Sequence, residues 1–187
     1  MRPAVFLDRD GTLNEDVGHL DRLERLTLFP FAIDAARLLH QAGYAVVVVT
    51  NQGGIAKGLV EEPFVVDLHR RLTERFAAGG AIIERFYHCP HDERAAVPAY
   101  RRACECQKPG PGMVHQAMSD LDLDPTCSYV VGDKWSDIEL ARNVGATGIL
   151  VRTGYGVSQE RRVEGTDVVV TDDLMAATVH ILAGDER

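Results

Sequence analysis

The sequence predicts a doubly wound α/β fold: a mostly parallel, Rossmann-like sheet with helices on both faces. Three observations carry this. Continuous apolar runs recur along the 187 residues, as strands buried on both faces require. Segments with apolar residues at helical spacing separate these runs. Strands that alternate with helices imply parallel pairing through crossover helices.

Taken in order, AVFL (4–7) is the first strand. FAIDAARLLHQAG (31–43) follows at helical spacing and stops at Gly43, a residue suited to the turn past a helix end. YAVVVV (44–49) is the next strand, and Pro63 opens a helix through FVVDLHRRLTERFA (64–77), because its fixed φ fits a first helical turn. AIIERFYHC (81–89) is a sixth strand candidate with a weaker pattern. PGMVHQAMSDL (111–121), WSDIELARNVG (135–145) and DDLMAATVHIL (172–182) read as helices, interleaved with the strands YVV (129–131), GILV (148–151) and VVV (168–170). Residues 14–30 and 89–110 lack periodicity, and loops this long in a compact domain are often functional. With no repeat or linker, residues 1–187 are expected to form a single domain.

An apolar fraction of 45% and a charged fraction of 26% are those of an ordinary globular protein. The net charge of −8 argues against nucleic acid as a partner, since such proteins carry a basic patch. MRPAVFLDRD (1–10) holds no long apolar signal region, and YAVVVV is far short of the roughly 20 residues that span a bilayer. A cytoplasmic monomer with no membrane partner is expected. The four cysteines then read as thiols or metal ligands rather than disulfides.

In open α/β sheets, ligands bind outside the carboxyl ends of the strands. Asp8 follows AVFL, Thr50 follows YAVVVV, and Asp133 follows YVVG (129–132). Any one of them alone is explained equally well as a helix cap. Three such strand ends point instead to a common site. Clustered carboxylates need a cation, and hard oxygen ligands with room for a phosphate suit Mg²⁺. A carboxylate can then act as a nucleophile on phosphorus. A second one, such as Asp10, can protonate the leaving oxygen and then activate water.

DRDGT (8–12), VVTNQ (48–52), KPGPG (108–112) and GDKWSD (132–137) resemble, in order, the four motifs of the haloacid dehalogenase phosphatase superfamily. The resemblance implies that Asp8 attacks phosphorus and that Asp10 is the general acid/base. It implies that Thr50 and Lys108 hold phosphoryl oxygens, and that Asp133 binds Mg²⁺ together with Asp8 and the Asp10 backbone carbonyl. Stabilising charge on the equatorial oxygens dominates phosphoryl transfer, so a lysine fits that position. Asp137 reads either as an orienter of the metal shell or of Lys134, or as an ordinary first-turn helix acid.

CPHDERAAVPAYRRACECQKP (89–109) holds three of the four cysteines. Cys89, His91, Cys104 and Cys106 form a Cys₃His set able to hold Zn²⁺ tetrahedrally. Residues two apart point the same way in an extended segment, which permits the geometry despite the short spacings. A disulfide and ordinary buried thiols are the alternatives. With four protein ligands the site is closed and structural, stapling residues 89–106 and steadying Lys108. Cys127, next to an apolar strand, reads as a small buried residue.

Within the superfamily the chain resembles the heptose 1,7-bisphosphate phosphatases, compact enzymes with no large cap domain and a zinc-stapled loop. The related histidinol-phosphate phosphatases share the zinc pattern with a shorter loop; here twelve residues separate His91 from Cys104. The resemblance implies a small phosphorylated sugar as substrate, with Asp16, Val17, Gly18, His19, Thr50, Asn51, Gln52, Gly53, Lys108 and Lys134 lining its pocket. Three residues depart from the family's habit: Gln107 stands where Arg is common, Gly53 where Ser is common, and His19 where Tyr is common. Gln107 is therefore also placed against the sugar or its second phosphate. The alternatives are a histidinol-phosphate or other sugar-phosphate phosphatase, and a non-catalytic zinc-stapled binding domain.

Overall fold

In the computed structural model, which describes residues 1–185, the apolar runs become six strands in one sheet. They are β1 (Ala4–Leu7), β2 (Ala45–Asn51), β3 (Arg85–Cys89), β4 (Tyr129–Gly132), β5 (Thr147–Val151) and β6 (Val169–Thr171). Their order is β3-β2-β1-β4-β5-β6, and every pairing is parallel. The expected class is thus observed, with a wholly parallel sheet.

Strand alternation sorts the side chains into two cores. Val5, Leu7, Val46 and Val48 face one side, under α1 (Ala32–Gln41), α3 (Glu62–Ala78) and α7 (Leu174–Asp185). Phe6, Val47, Val49 and Val130 face the other, under α4 (Gly112–Leu121) and α5 (Trp135–Val144). The helices meet the sheet through residues at helical spacing. Ala32, Ala35, Ala36 and Leu39 are buried on α1; Val65, Leu68, Leu72 and Phe76 are buried on α3. Helix α1 stops where Gly43 takes φ +92, and α5 where Gly145 takes φ +76, a region that glycine enters without steric cost.

The differences from expectation are local. The 81–89 run yields a strand only over Arg85–Cys89; Ala81 and Ile83 are buried in the core ahead of it. The single turns α2 (Gly53–Ala56) and α6 (Gly156–Gln159) are too short to carry a readable period. Residues 14–30 and 89–110 are largely irregular, each with one short 3₁₀ turn, at Leu23–Arg25 and Pro98–Tyr100. Cys127 is exposed rather than buried, because it ends a 3₁₀ turn (Pro125–Cys127) before the strand begins. Among the described residues, no helix is long and apolar enough to cross a membrane.

The chain runs from β1 outward to β3, then crosses back to place β4 on the other side of β1. The crevice beyond the carboxyl ends of β1 and β4 is therefore the point where the winding reverses, the usual binding position in such sheets.

Candidate active site and metal centre

Asp8 is the first residue past β1, and its N–H still donates to Val131 O on β4 at 2.9 Å. Asp133 follows β4, and Asp137 lies in the first turn of α5. All three are buried, and each offers a carboxylate oxygen within 4.8 Å of the others. Lys108 arrives from the loop before α4, 5% exposed, with Nζ 2.9 Å from Asp8 Oδ1 and 2.6 Å from Asp137 Oδ1. It also donates to Val49 O at 2.9 Å, so all three ammonium protons have acceptors. Burial works against its charge, but Asp137 and Asp8 outweigh this and raise its pKa. Asn51 at the end of β2 fixes its backbone: Lys108 N donates to Asn51 Oδ1 at 2.9 Å, and Asn51 Nδ2 donates to Lys108 O at 3.1 Å.

Asp137 takes the place of a first-turn helix acid, the second of its two sequence readings. Its Oδ2 accepts from Lys134 N at 3.0 Å, as a first-turn helix acid does, while Oδ1 holds Lys108. Its contact with Lys134 is with the backbone. The Lys134 ammonium instead reaches Asp16 Oδ2 at 3.0 Å, 5.0 Å from the centre of the Tyr155 ring.

Asp133 is fully buried. Its Oδ2 accepts from Tyr155 N at 2.8 Å, but Oδ1 has no hydrogen-bond partner among the described residues; Lys134 Nζ lies 3.6 Å away. Burial, and then the charge of Asp8, push its carboxyl up to about 7. Gly11, at φ +90, packs so closely that a Cβ there would lie 2.2 Å from Asp133 Oδ2. A buried carboxylate with one unserved oxygen, beside a second carboxylate, is a donor set that fits a hard divalent cation.

Asp10 has a different setting. Arg9, with no exposed surface, donates Nε to Asp10 Oδ1 at 3.1 Å and Nη2 to Oδ2 at 2.7 Å. Asn14 Nδ2 donates to Oδ1 at 2.9 Å and Gln52 Nε2 to Oδ2 at 3.0 Å. Burial opposes ionisation, but Arg9, Asn14 and Gln52 together hold the carboxyl at about 2. Gln52 also donates to Thr50 Oγ1 at 2.9 Å, tying the ends of β1 and β2 together.

Asp8, Asp10, Asp16, Gly18, His19, Thr50, Asn51, Gln52, Gly53, Lys108 and Lys134 line one cavity of about 100 Å³, joined there by Gly54 and Ser136. Val17 and Gln107 are not part of this lining. The Val17 carbonyl accepts from Arg25 Nη2 at 2.9 Å and its side chain packs toward the core. Gln107 is half-buried, and its carbonyl closes a turn with Gly110 N at 2.7 Å. Arg25 also donates to His19 O at 3.0 Å, and Asp16 Oδ1 accepts from Gly18 N at 2.8 Å, so the 16–19 loop is held at both ends. Sequence reasoning missed Arg9, Asn14, Arg25 and Ser136. Arg9 stands inside the DRDGT motif, but nothing in the sequence says that an arginine there is buried.

Behind this site, Cys89, His91, Cys104 and Cys106 converge, their ligand atoms within 4.8 Å of one another. The sulfurs are 2.9 Å apart for Cys89–Cys106, 3.0 Å for Cys104–Cys106 and 3.4 Å for Cys89–Cys104, and His91 Nδ1 lies 3.3 Å from Cys106 Sγ. The cysteines are free thiols. Three sulfurs and one imidazole nitrogen turned toward a common point are the donor set of a structural Zn²⁺ site. Lys108 is two residues past Cys106.

A family model described as HAD-hydrolase-like matches residues 105–177. A D-glycero-beta-D-manno-heptose-1,7-bisphosphate 7-phosphatase from Yersinia pestis is 42% identical over 160 residues, 84% of this chain and 85% of that protein. A D-glycero-D-manno-heptose-1,7-bisphosphate 7-phosphatase from Thermosynechococcus vestitus is 45% identical over 169 residues, 88% of this chain and 85% of its own. The crystal structure of a D,D-heptose 1,7-bisphosphate phosphatase from B. bronchiseptica, complexed with magnesium and phosphate, superposes with a TM-score of 0.86 at 29% identity, covering 97% of this chain and 99% of that one.

Proposed function

We infer the reaction from membership: the chain belongs to the D-glycero-D-manno-heptose-1,7-bisphosphate 7-phosphatase family of HAD-like hydrolases. It is a phosphatase acting on a phosphate monoester. The substrate we propose is a D-glycero-D-manno-heptose 1,7-bisphosphate, cleaved at C7 on the way to nucleotide-activated heptose. The substrate rests on the relatives; the observation that carries the phosphatase chemistry is the convergence of Asp8, Asp10, Thr50 and Lys108 on one small cavity, with Asp133 and Asp137 clustered beside Asp8.

In this reading an Asp8 carboxylate oxygen attacks phosphorus. The P–O bond to the sugar breaks, its electron pair stays on the sugar oxygen, and that oxygen takes a proton from Asp10, which is ionised in the free protein and takes that proton up from solvent as the anionic substrate enters. Asp10 then removes a proton from the water that cleaves the phospho-aspartate. Lys108 and Thr50 hold equatorial oxygens of the transferring group. Lys108 has all its protons engaged, so it exchanges one carboxylate contact for a phosphate oxygen. Lys134 and Asp16, joined at 3.0 Å, form the rim against the sugar, with Gly18, His19, Asn51, Gln52 and Gly53.

Asp8, Asp133 and the Asp10 backbone carbonyl would hold Mg²⁺, which neutralises the carboxylates and the phosphate charge when bound. Cys89, His91, Cys104 and Cys106 would hold Zn²⁺, which fixes the 89–106 loop when bound. We place the enzyme in the cytoplasm as a monomer.

Phosphate release from both anomers of the heptose bisphosphate, histidinol phosphate and common sugar monophosphates tests the substrate. The highest kcat/KM is expected for one heptose bisphosphate anomer; a higher value for histidinol phosphate would overturn the reading. Asp8→Asn is expected to abolish turnover of every substrate while keeping the fold. A folded, active Asp8→Asn enzyme would exclude the covalent route.

A further inference from the structure

His69 sits on the buried face of α3 among Val65, Leu68, Leu72 and Phe76, a row that is otherwise apolar. An imidazole there is costly unless its ring nitrogens are served. Its Nε2 lies 3.1 Å from Arg9 Nη1. Arginine only donates, so Nε2 accepts and the ring proton resides on Nδ1. Burial and the neighbouring guanidinium push the imidazole down to about 2, so it stays a neutral acceptor. The ring is fixed in turn. It stacks on Phe86 with centroids 4.7 Å apart and planes 18° apart, and meets His88 edge-on at 5.6 Å.

Arg9 is the largest fully buried side chain among the described residues, and its fork ends on Asp10. Three anchors set the guanidinium plane: Asp10 through Nε and Nη2, Gln52 Oε1 at 3.0 Å, and His69 at the far corner, Nη1. Asp10 and Gln52 also contact each other, so His69 is the anchor that does not move with the carboxylate. We propose that His69 is a positioning residue for proton transfer: its imidazole holds Arg9, and Arg9 aims the Asp10 carboxyl at the leaving oxygen. This rests on Asp10 being the general acid. A misplacement of a fraction of an ångström is enough to slow a proton transfer substantially.

The leaving group separates this role from a packing role. A sugar alkoxide must be protonated as it departs, whereas p-nitrophenolate leaves without a proton. kcat/KM covers steps only through formation of the phospho-aspartate, so the later water attack does not enter it. The readout is the ratio of kcat/KM for the heptose bisphosphate to that for p-nitrophenyl phosphate. His69→Phe keeps the stacked ring and removes the acceptor; the ratio is expected to fall about tenfold. His69→Gln restores an acceptor and is expected to return the ratio to within about threefold of wild type. In an Asp10→Asn background, His69→Phe is expected to shift the ratio less than about twofold, because the two residues act as one unit.

Equal losses on both substrates, or an unchanged ratio, would overturn the proposal. Should His69→Phe not fold, His69→Asn, too short to reach Arg9, carries the same comparison. If Asp10→Asn alone leaves the ratio unchanged, the general-acid reading fails rather than the role of His69. If the wild type prefers another alkyl phosphate, the substrate reading fails and the ratio is measured with that ester.

Discussion

Asp133 has the setting of a cation ligand. Its carboxyl is buried, faces Asp8, and is pushed up to about 7. An acid whose folded pKa lies above its unfolded value binds its proton more tightly when folded. Metal-free protein should therefore lose stability as pH rises from about 4 to about 7, by on the order of 4 kcal/mol. Denaturant midpoints across that range, with EDTA, should fall with pH. Excess Mg²⁺ or Asp133→Asn should flatten the slope; a slope that survives both would assign it to other groups. Asp8, Thr50 and Asp133 were legible in the sequence because they follow apolar runs, where the topology forces strand ends together. Arg9 and His69 were not. An arginine reads as solvated and a lone histidine on an apolar face reads as core. Only the chain crossing that brings α3 over the end of β1 makes them partners.

At the scale of an element, the 89–106 loop has few holds of its own. Val97 N donates to Ala56 O at 3.0 Å, Tyr100 OH to Glu62 at 2.9 Å, and Arg101 Nε to Ala95 O at 2.8 Å. Ala95 is its one buried apolar residue between the two ligand pairs. Such a segment orders poorly without a staple, and structural zinc is worth on the order of 10 kcal/mol. Protein purified without chelator should carry one zinc per chain, measured by elemental analysis. Cys104→Ser should lower Tm and expose residues 92–103 to proteolysis. Because Lys108 follows Cys106 by two residues, it should also lower activity. A zinc-free, protease-resistant wild type would refute the staple. The Cys₃His set, read together with the family resemblance, marked this loop in the sequence as a candidate metal site. The short helices α2 and α6 were not, since one turn of glycine-containing chain has no period to read.

Across the whole molecule, the strand order gathers charges that the sequence scatters over some 130 residues. Around the cavity stand five carboxylates (Asp8, Asp10, Asp16, Asp133, Asp137) and three cations (Arg9, Lys108, Lys134). A phosphate dianion entering this set alone adds charge of the sign already in excess. A divalent cation cancels that excess, so each ligand should improve the binding of the other, and by the same factor. Inorganic phosphate alone should therefore leave Tm nearly unchanged, and Mg²⁺ alone should raise it. Both together should raise it beyond the sum of the separate shifts. A ligand held at 100 times its Kd adds about 2.7 kcal/mol, and in a chain of this size each kcal/mol moves Tm by about 2–4 °C, so the excess is measurable by thermal scanning. Asp133→Asn should abolish the excess while leaving Lys108 to meet the phosphate. Phosphate that stabilises fully without Mg²⁺ would mean that Lys108 and Lys134 suffice to bind the anion. The coupling between metal and phosphate would then be absent.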